Sequence, residues 1–94
     1  MEKGTNHYFY VLECKDGSYY AGYTNDLQKR VKVHNEGKGA KYTRAKRPVR
    51  CIYHETFHTK RDAMQAEYRF KQLSRLEKER YIEGGNENEI PKER

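Results

Sequence analysis

Tyrosine supplies much of the large apolar surface that this chain can bury. There are nine tyrosines in 94 residues, whereas leucine, isoleucine, valine and phenylalanine together number only fourteen. So few aliphatic side chains, with a formal net charge of +6, are typical of chains that stay disordered. Because each aromatic ring can bury roughly 150 to 250 Å², we nevertheless expect one small folded domain with room for a single site.

The sequence contains no segment typical of membrane insertion or export. No apolar run approaches the roughly 18 residues of a membrane span, and residues 1–6 lack the apolar region of a signal peptide. We therefore expect a soluble, cytoplasmic protein with no membrane partner. Cys14 and Cys51 are too few for a disulfide scaffold and too far apart for a zinc-binding pair, so we expect both to be reduced and buried.

Positive charge is concentrated in the middle of the chain. Between residues 28 and 61 there are eleven lysines and arginines but only two acids. Lysine and arginine supply the electrostatic part of nucleic-acid binding, and the interspersed Gly37 and Gly39 let backbone amides approach phosphates. The pattern favours a nucleic-acid partner, with a merely solvated basic face as the alternative.

Residues 7–14 and 18–24 are rich in aromatic and β-branched types and predict a β-hairpin around Lys15-Asp16-Gly17. A two-residue turn would pair Cys14 with Tyr19 and place Tyr10 and Tyr20 on opposite faces. A three-residue turn with Gly17 in a left-handed bulge would instead pair Tyr10 with Gly22. We favour the three-residue turn because it places Tyr10, Tyr20 and Gly22 on one face.

Three helices and one more strand are predicted after the hairpin. The first helix begins near Asn25 or Asp26, ends at about Glu36 before Gly37, and places Arg30 and His34 on its apolar stripe. Residues 38–48 are predicted to form a loop and residues 49–57 a third strand. Residues 60–73 and 75–83 are predicted to be helical, the second starting at a Ser-x-x-Glu capping box. Glu67 lies on the inward stripe of its helix, which for a carboxylate requires pairing or a cation.

The motifs Tyr8-Phe9-Tyr10 and Tyr20-Ala21-Gly22, followed by residues 26–30 opening a helix, resemble those of the GIY-YIG nuclease domain. The resemblance covers residues 7–83 and is greatest to the small stand-alone bacterial proteins of this superfamily. It implies a single α+β domain of order ββαβαα, with a three-stranded antiparallel sheet flanked by helices. Residues 1–6 would then be an N-terminal extension, and residues 84–94 a polar, disordered tail.

The resemblance aligns six residues with a nuclease site: Tyr10, Tyr20, Gly22, Arg30, His34 and Glu67. Hydrolysis of a phosphodiester requires a proton acceptor, positive charge on the phosphate and stabilisation of the leaving oxygen. Tyr10 would take the proton of the attacking water, with its pKa lowered by Arg30 or the metal, or pass the proton to His34. Arg30 would bind phosphate oxygens and Tyr20 would orient the water or the phosphate.

The same alignment gives the remaining expectations. Gly22 would leave room beside Tyr10, and Glu67 would hold one Mg²⁺ or Mn²⁺ ion, mainly when DNA is bound. We expect phosphate contacts from the loop residues Lys41, Thr43, Arg44 and Arg47.

These features predict a monomeric, metal-dependent endonuclease that cuts DNA, branched or flapped, in repair or recombination. RNA as a substrate and a protein partner for targeting remain open. One alternative is a nucleic-acid-binding module without activity on the same scaffold. Another is an adaptor whose basic loop binds an acidic protein.

Overall fold

The computed structural model describes residues 6–85 and has the predicted order ββαβαα, with one additional short helix before the third strand. The elements are β1 (His7–Glu13), β2 (Tyr19–Thr24), α1 (Leu27–Asn35), α2 (Lys41–Arg44), β3 (Arg50–Phe57), α3 (Lys60–Lys71) and α4 (Arg75–Arg80), followed by one wide turn over Tyr81–Gly85. The predicted N-terminal extension and C-terminal tail fall almost entirely outside the described residues, and the domain boundaries stay predictions.

The hairpin has the three-residue turn. Gly17 adopts a φ of 87°, its amide donates to the carbonyl of Cys14 at 2.8 Å, and the Cys14 amide donates to the Ser18 carbonyl at 2.8 Å. Tyr10 therefore lies opposite Gly22 on β2. The register confirms the prediction that the catalytic candidates of the two strands share a face.

The antiparallel sheet has the strand order β2-β1-β3, and a different helix covers each of its faces. Phe9 and Val11 of β1 pack with Phe70 of α3 on one face. Tyr10 and Leu12, which alternate with them, pack on the other face with residues of α1. Because successive strand residues point to opposite sides, the sheet separates an α1 face from an α3 face.

Helix ends follow the local signals in the sequence. Asp26 and Thr59 accept hydrogen bonds from amides in the first turns of α1 and α3. Ser74 and Glu77 form the predicted capping box at α4. Gly37 ends α1 with a φ of 82°.

The prediction that residues 38–48 form a loop was wrong at one point, because Lys41–Arg44 forms the short helix α2. No side chain caps its N-terminus, and the contact that anchors it is a tertiary one described below. Local sequence patterns therefore carried no signal for it.

Both cysteines are free thiols, as predicted. Cys14 is buried as expected, but Cys51 is only half-buried. Among the described residues, none of the helices could span a bilayer.

Asn35, the last residue of α1, ties this helix to the start of β3. Its side-chain amide donates to the carbonyl of Val49 at 2.9 Å, and its Oδ1 accepts from the Val49 amide at 2.7 Å. Val49 is only 4% exposed, so water cannot easily replace either bond.

Replacing Asn35 should therefore cost stability. We expect Asn35→Ala to lower the free energy of unfolding by about 1–3 kcal/mol, because it leaves both backbone groups of Val49 unpaired. Urea unfolding measures this, with the exposed Asn25→Ala as the control, expected within about 0.5 kcal/mol of the wild type. Equal effects of the two substitutions would contradict the role given to Asn35.

Candidate active site between the sheet and helix α1

Tyr10 lies at the centre of the candidate site. It occupies the middle of the central strand, is 1% exposed, and points to the α1 face. Its phenol oxygen lies 3.0 Å from Nε2 of His34. A buried phenol of this kind needs a hydrogen-bond partner, and α1 supplies it from the stripe that the sequence predicted to face inward.

The hydrogen bonds around His34 fix which nitrogen carries its proton. The Thr43 hydroxyl donates its one hydrogen to the Ala40 carbonyl at 3.1 Å, so toward His34 Nδ1, at 2.8 Å, it can only accept. Nδ1 therefore carries the hydrogen and Nε2 is the acceptor. It follows that Tyr10 donates to His34, in a chain that runs from Tyr10 through His34 and Thr43 to Ala40.

Thr43 therefore differs from the sequence prediction, which assigned it to phosphate contact. Its side chain is fully buried, with 0% exposure, and its oxygen is occupied by His34 and Ala40. Thr43 positions the imidazole instead. This is the contact that anchors α2 against α1.

Burial raises the pKa of Tyr10 to about 12. The nearby Arg30 guanidinium lowers this pKa, and the charges of Tyr20 and Glu67 raise it, but desolvation is the largest effect. Arg30 does lower the pKa of Tyr10, as predicted. The pKa of Tyr10 is nevertheless raised overall, because desolvation outweighs Arg30, so the predicted net lowering was wrong for the protein without bound ligands. The same burial, together with Arg30, lowers the pKa of His34, which keeps its Nε2 free to accept.

Arg30 is the half-buried cation of the site. Its Nε is buried and has no hydrogen-bond partner among the described residues, a rare state for a buried donor. Its positive charge acts on both Tyr10 and His34. A guanidinium with an unused donor beside two groups that carry no negative charge at neutral pH is suited to an anionic ligand.

Tyr20 and Gly22 of β2 complete the α1 face of the site. The Tyr20 ring lies against His34, with centroids 5.2 Å apart, and stacks on the exposed Tyr42 at 5.9 Å. A Cβ on Gly22 would lie 2.5 Å from the Tyr10 hydroxyl oxygen. The room beside Tyr10 that the sequence analysis attributed to Gly22 is therefore present.

Glu67 lies on α3, the helix that covers the other face of the sheet. Its side chain is 18% exposed, and Lys71 Nζ lies 2.7 Å from its Oε2. The carboxylate is near enough for its charge to raise the pKa of Tyr10. The charge of Glu67 thus acts on Tyr10, and Lys71 provides the partner that a half-buried carboxylate requires.

A divalent ion could use Glu67 as one ligand. Within residues 6–85, no group of three or more histidine, cysteine, aspartate or glutamate side chains could hold a metal. A carboxylate oxygen is the donor that Mg²⁺ and Mn²⁺ prefer, and Mg²⁺ commonly keeps waters and phosphate oxygens as its other ligands. The donor set therefore fits an ion that a bound phosphate completes.

The segment that contains Thr43 also carries exposed basic side chains. Lys41, Arg44 and Arg47 are exposed, and Arg47 also donates to the carbonyls of Arg44 and Asn35, at 2.8 and 3.4 Å. Their contact with phosphate stays a prediction.

Gly39 lies against the candidate site, whereas the sequence analysis had linked it only to the approach of backbone amides to phosphates. A Cβ at this position would lie 2.3 Å from His34 Nδ1, so only glycine lets the loop pass the imidazole. Gly37 already ends α1, so a second glycine two residues later is not needed to end the helix. That unexplained second glycine was the sequence feature that could have indicated a close contact at Gly39.

Gly39→Ala should displace the imidazole and lower the free energy of unfolding by about 1–3 kcal/mol. In a His34→Ala background the same change should cost much less, because the ring that it meets is absent. A double-mutant cycle by urea unfolding measures the difference. An equal cost in both backgrounds would show that the clash with His34 is not the cause.

Stability should also depend on pH through His34. Folding lowers the pKa of this imidazole from 6.5, so the unfolded chain binds the proton more readily. The stabilising contribution is complete above pH 6.5 and is lost as the pH falls below that value toward the folded pKa. The urea concentration at the unfolding midpoint, measured across this pH range, should fall on acidification. The fall should be less steep in His34→Gln than in the wild type. The exposed His58→Gln should keep the wild-type slope; an unchanged slope in His34→Gln would contradict the assignment.

Comparison with known proteins adds the family. A family model described as the GIY-YIG catalytic domain matches residues 6–81. A UPF0213 protein of Bacillus velezensis is 73% identical over 78 residues, which are 83% of this chain and 79% of the relative. The UPF0213 protein YazA of Bacillus subtilis is 69% identical over the same shares of the two chains.

Two solution NMR structures are similar to this fold. A UPF0213 protein from Bacillus halodurans has a TM-score of 0.56 at 52% identity and covers 83% of each chain. A protein from E. faecalis has a TM-score of 0.61 at 48% identity and covers 92% of each chain. The names of these relatives state no activity.

Proposed function

Because the chain belongs to the GIY-YIG family, a superfamily of nucleases, we propose that it is a divalent-metal-dependent endonuclease that hydrolyses DNA phosphodiester bonds. The observation that carries this proposal is the buried chain from Tyr10 through His34 to Thr43, next to an arginine with an unused donor. These groups offer a proton acceptor and a phosphate ligand at one place. Branched or flapped DNA, met in repair or recombination, is the substrate that we expect.

Tyr10 and His34 would act together as the base. Free phenolate is costly here, because burial raises the pKa of Tyr10 to about 12. Tyr10 avoids that cost by passing its hydroxyl proton to Nε2 of His34 while its oxygen takes a proton from the attacking water. The resulting imidazolium keeps its Nδ1 hydrogen bond to Thr43, and the positive charge is offset by the negative charge developing on the phosphate.

Arg30 would bind the non-bridging oxygens of that phosphate. Its planar donors suit an anion whose charge grows in the transition state, and lysine could not reproduce the fork geometry. Tyr20, which packs against His34, would orient the water or the phosphate.

Glu67 would hold one Mg²⁺ or Mn²⁺. When bound, the ion supplies positive charge to the leaving oxygen. Lys71 competes for the same carboxylate at 2.7 Å, and a single carboxylate is a weak site for a cation. Glu67 should therefore bind the metal firmly only when a DNA phosphate is also present.

The exposed cations near α2 would hold the DNA backbone. Lys41, Arg44 and Arg47 supply charge without sequence recognition, so selection of a target would require the shape of the DNA or a protein partner. The same electrostatics would serve RNA.

A nicking assay on branched, flapped and single-stranded DNA with Mg²⁺ or Mn²⁺ tests the proposal. We expect cleavage by the wild type and losses of roughly 10² to 10⁴ in rate for Tyr10→Phe, Arg30→Lys and Glu67→Gln, because each removes one catalytic group while keeping its volume. Arg80→Lys and Glu79→Gln, both on α4, are the matched controls and should cleave normally.

Two results would contradict the proposal. Salt-dependent DNA binding without cleavage of any substrate would identify an inactive binding module. Full activity in Glu67→Gln would remove the metal site assigned here.

A further inference from the structure

The outer face of α3 carries an exposed apolar groove that neither the core nor the proposed mechanism uses. Tyr68 is 66% exposed and Met64 is 46% exposed. With Lys60, Arg61 and Gln65, all on the same helix, they line a shallow groove of about 600 Å³ that is largely open to solvent. The lysine and arginine contribute their methylene stems to its walls, so the groove is apolar inside and positively charged at its rim.

The position of the groove connects it to the candidate site. Residues three or four apart on a helix are neighbours on its surface, so Met64 adjoins Glu67, and Tyr68 adjoins Lys71. Glu67, the residue proposed to hold the metal, therefore lies on the stripe of α3 next to the groove, within the same stretch of the helix. A strand of nucleic acid bound at Glu67 would therefore bring its next nucleotide to Met64 and Tyr68.

The charges on this side of α3 indicate which kind of ligand the groove can bind. Lys60, Arg61 and Lys71 are exposed along it, whereas Asp62, the acid of the first turn, lines a separate cavity with Phe57 and Tyr81. A cationic rim around an apolar, tyrosine-containing groove is complementary to a nucleotide, which joins a flat base to an anionic backbone.

We propose that this groove binds an unpaired nucleotide next to the scissile phosphate, with the base stacked on Tyr68 and its backbone between Lys60, Arg61 and Lys71. The inference rests on the proposed nuclease function and narrows its substrate. In a continuous duplex the faces of the bases are stacked on one another and only their edges are accessible. The preferred substrate is therefore single-stranded at the position beside the cut.

The absence of tryptophan from the sequence allows a direct test. Tyr68→Trp places a single indole in the groove, at a position exposed enough to accept it. Its fluorescence is followed during titration with a short oligothymidylate and with an abasic strand of equal length and charge. EDTA is present so that no strand is cut, and fluorescence anisotropy of labelled strands measures binding independently.

We expect oligothymidylate to quench the indole and to bind roughly five- to tenfold more tightly than the abasic strand, as one base stacked on an aromatic side chain implies. Tyr68→Ala should remove this preference and Tyr68→Phe should retain it. Leu76→Trp, which places an indole at an exposed apolar position of α4, is the control and should not be quenched.

Three results would overturn the inference. If both strands bind equally and the indole in the groove is not quenched, the groove does not bind a base. The nuclease proposal is then unaffected, because the cleavage assay tests it separately. If anionic phospholipid vesicles change its fluorescence and oligothymidylate does not, the groove is a lipid-binding surface. If no strand binds in either assay, the inference and the nuclease proposal fail together.

Discussion

A chain of hydrogen bonds buried between the sheet and α1 determines how the other residues of the site can pack. It links Tyr10, His34 and Thr43, and such a network stabilises a fold only when all of its members are paired. Three elements meet around it, so two neighbouring positions, Gly22 and Gly39, have no space for a side chain. The same chain explains why α2 occupies its place without a side-chain cap of its own.

Opposing electrostatic effects give this network its chemical character. Burial holds the proton on the Tyr10 phenol and keeps the acceptor nitrogen of His34 unprotonated. Neither group therefore neutralises the guanidinium of Arg30, and the nearby carboxylate of Glu67 is already paired with Lys71. Within residues 6–85, Arg30 thus keeps a buried Nε without a hydrogen-bond partner, and the proposed phosphate would supply one.

The sequence predicted the features that depend on near neighbours. The Asp-Gly turn, the Ser74 capping box and the inward stripe of α1 follow from short-range patterns, and so does the sharing of one face by Tyr10 and Tyr20. The roles of Thr43, Gly39 and Asn35 did not follow, because each depends on a contact with a residue at least five positions away. The raised pKa of Tyr10 was not predicted for a related reason, because desolvation depends on how deeply the fold buries the ring.

The division of the sheet into two faces has an evolutionary consequence. Tyr10 and His34 are enclosed on one side, where a side chain at Gly22 or Gly39 would collide with them. The outer surface of α3 lies on the other side, and its side chains can change without touching that enclosure. Substitutions on that outer surface can therefore accumulate during evolution without altering the packing around Tyr10 and His34.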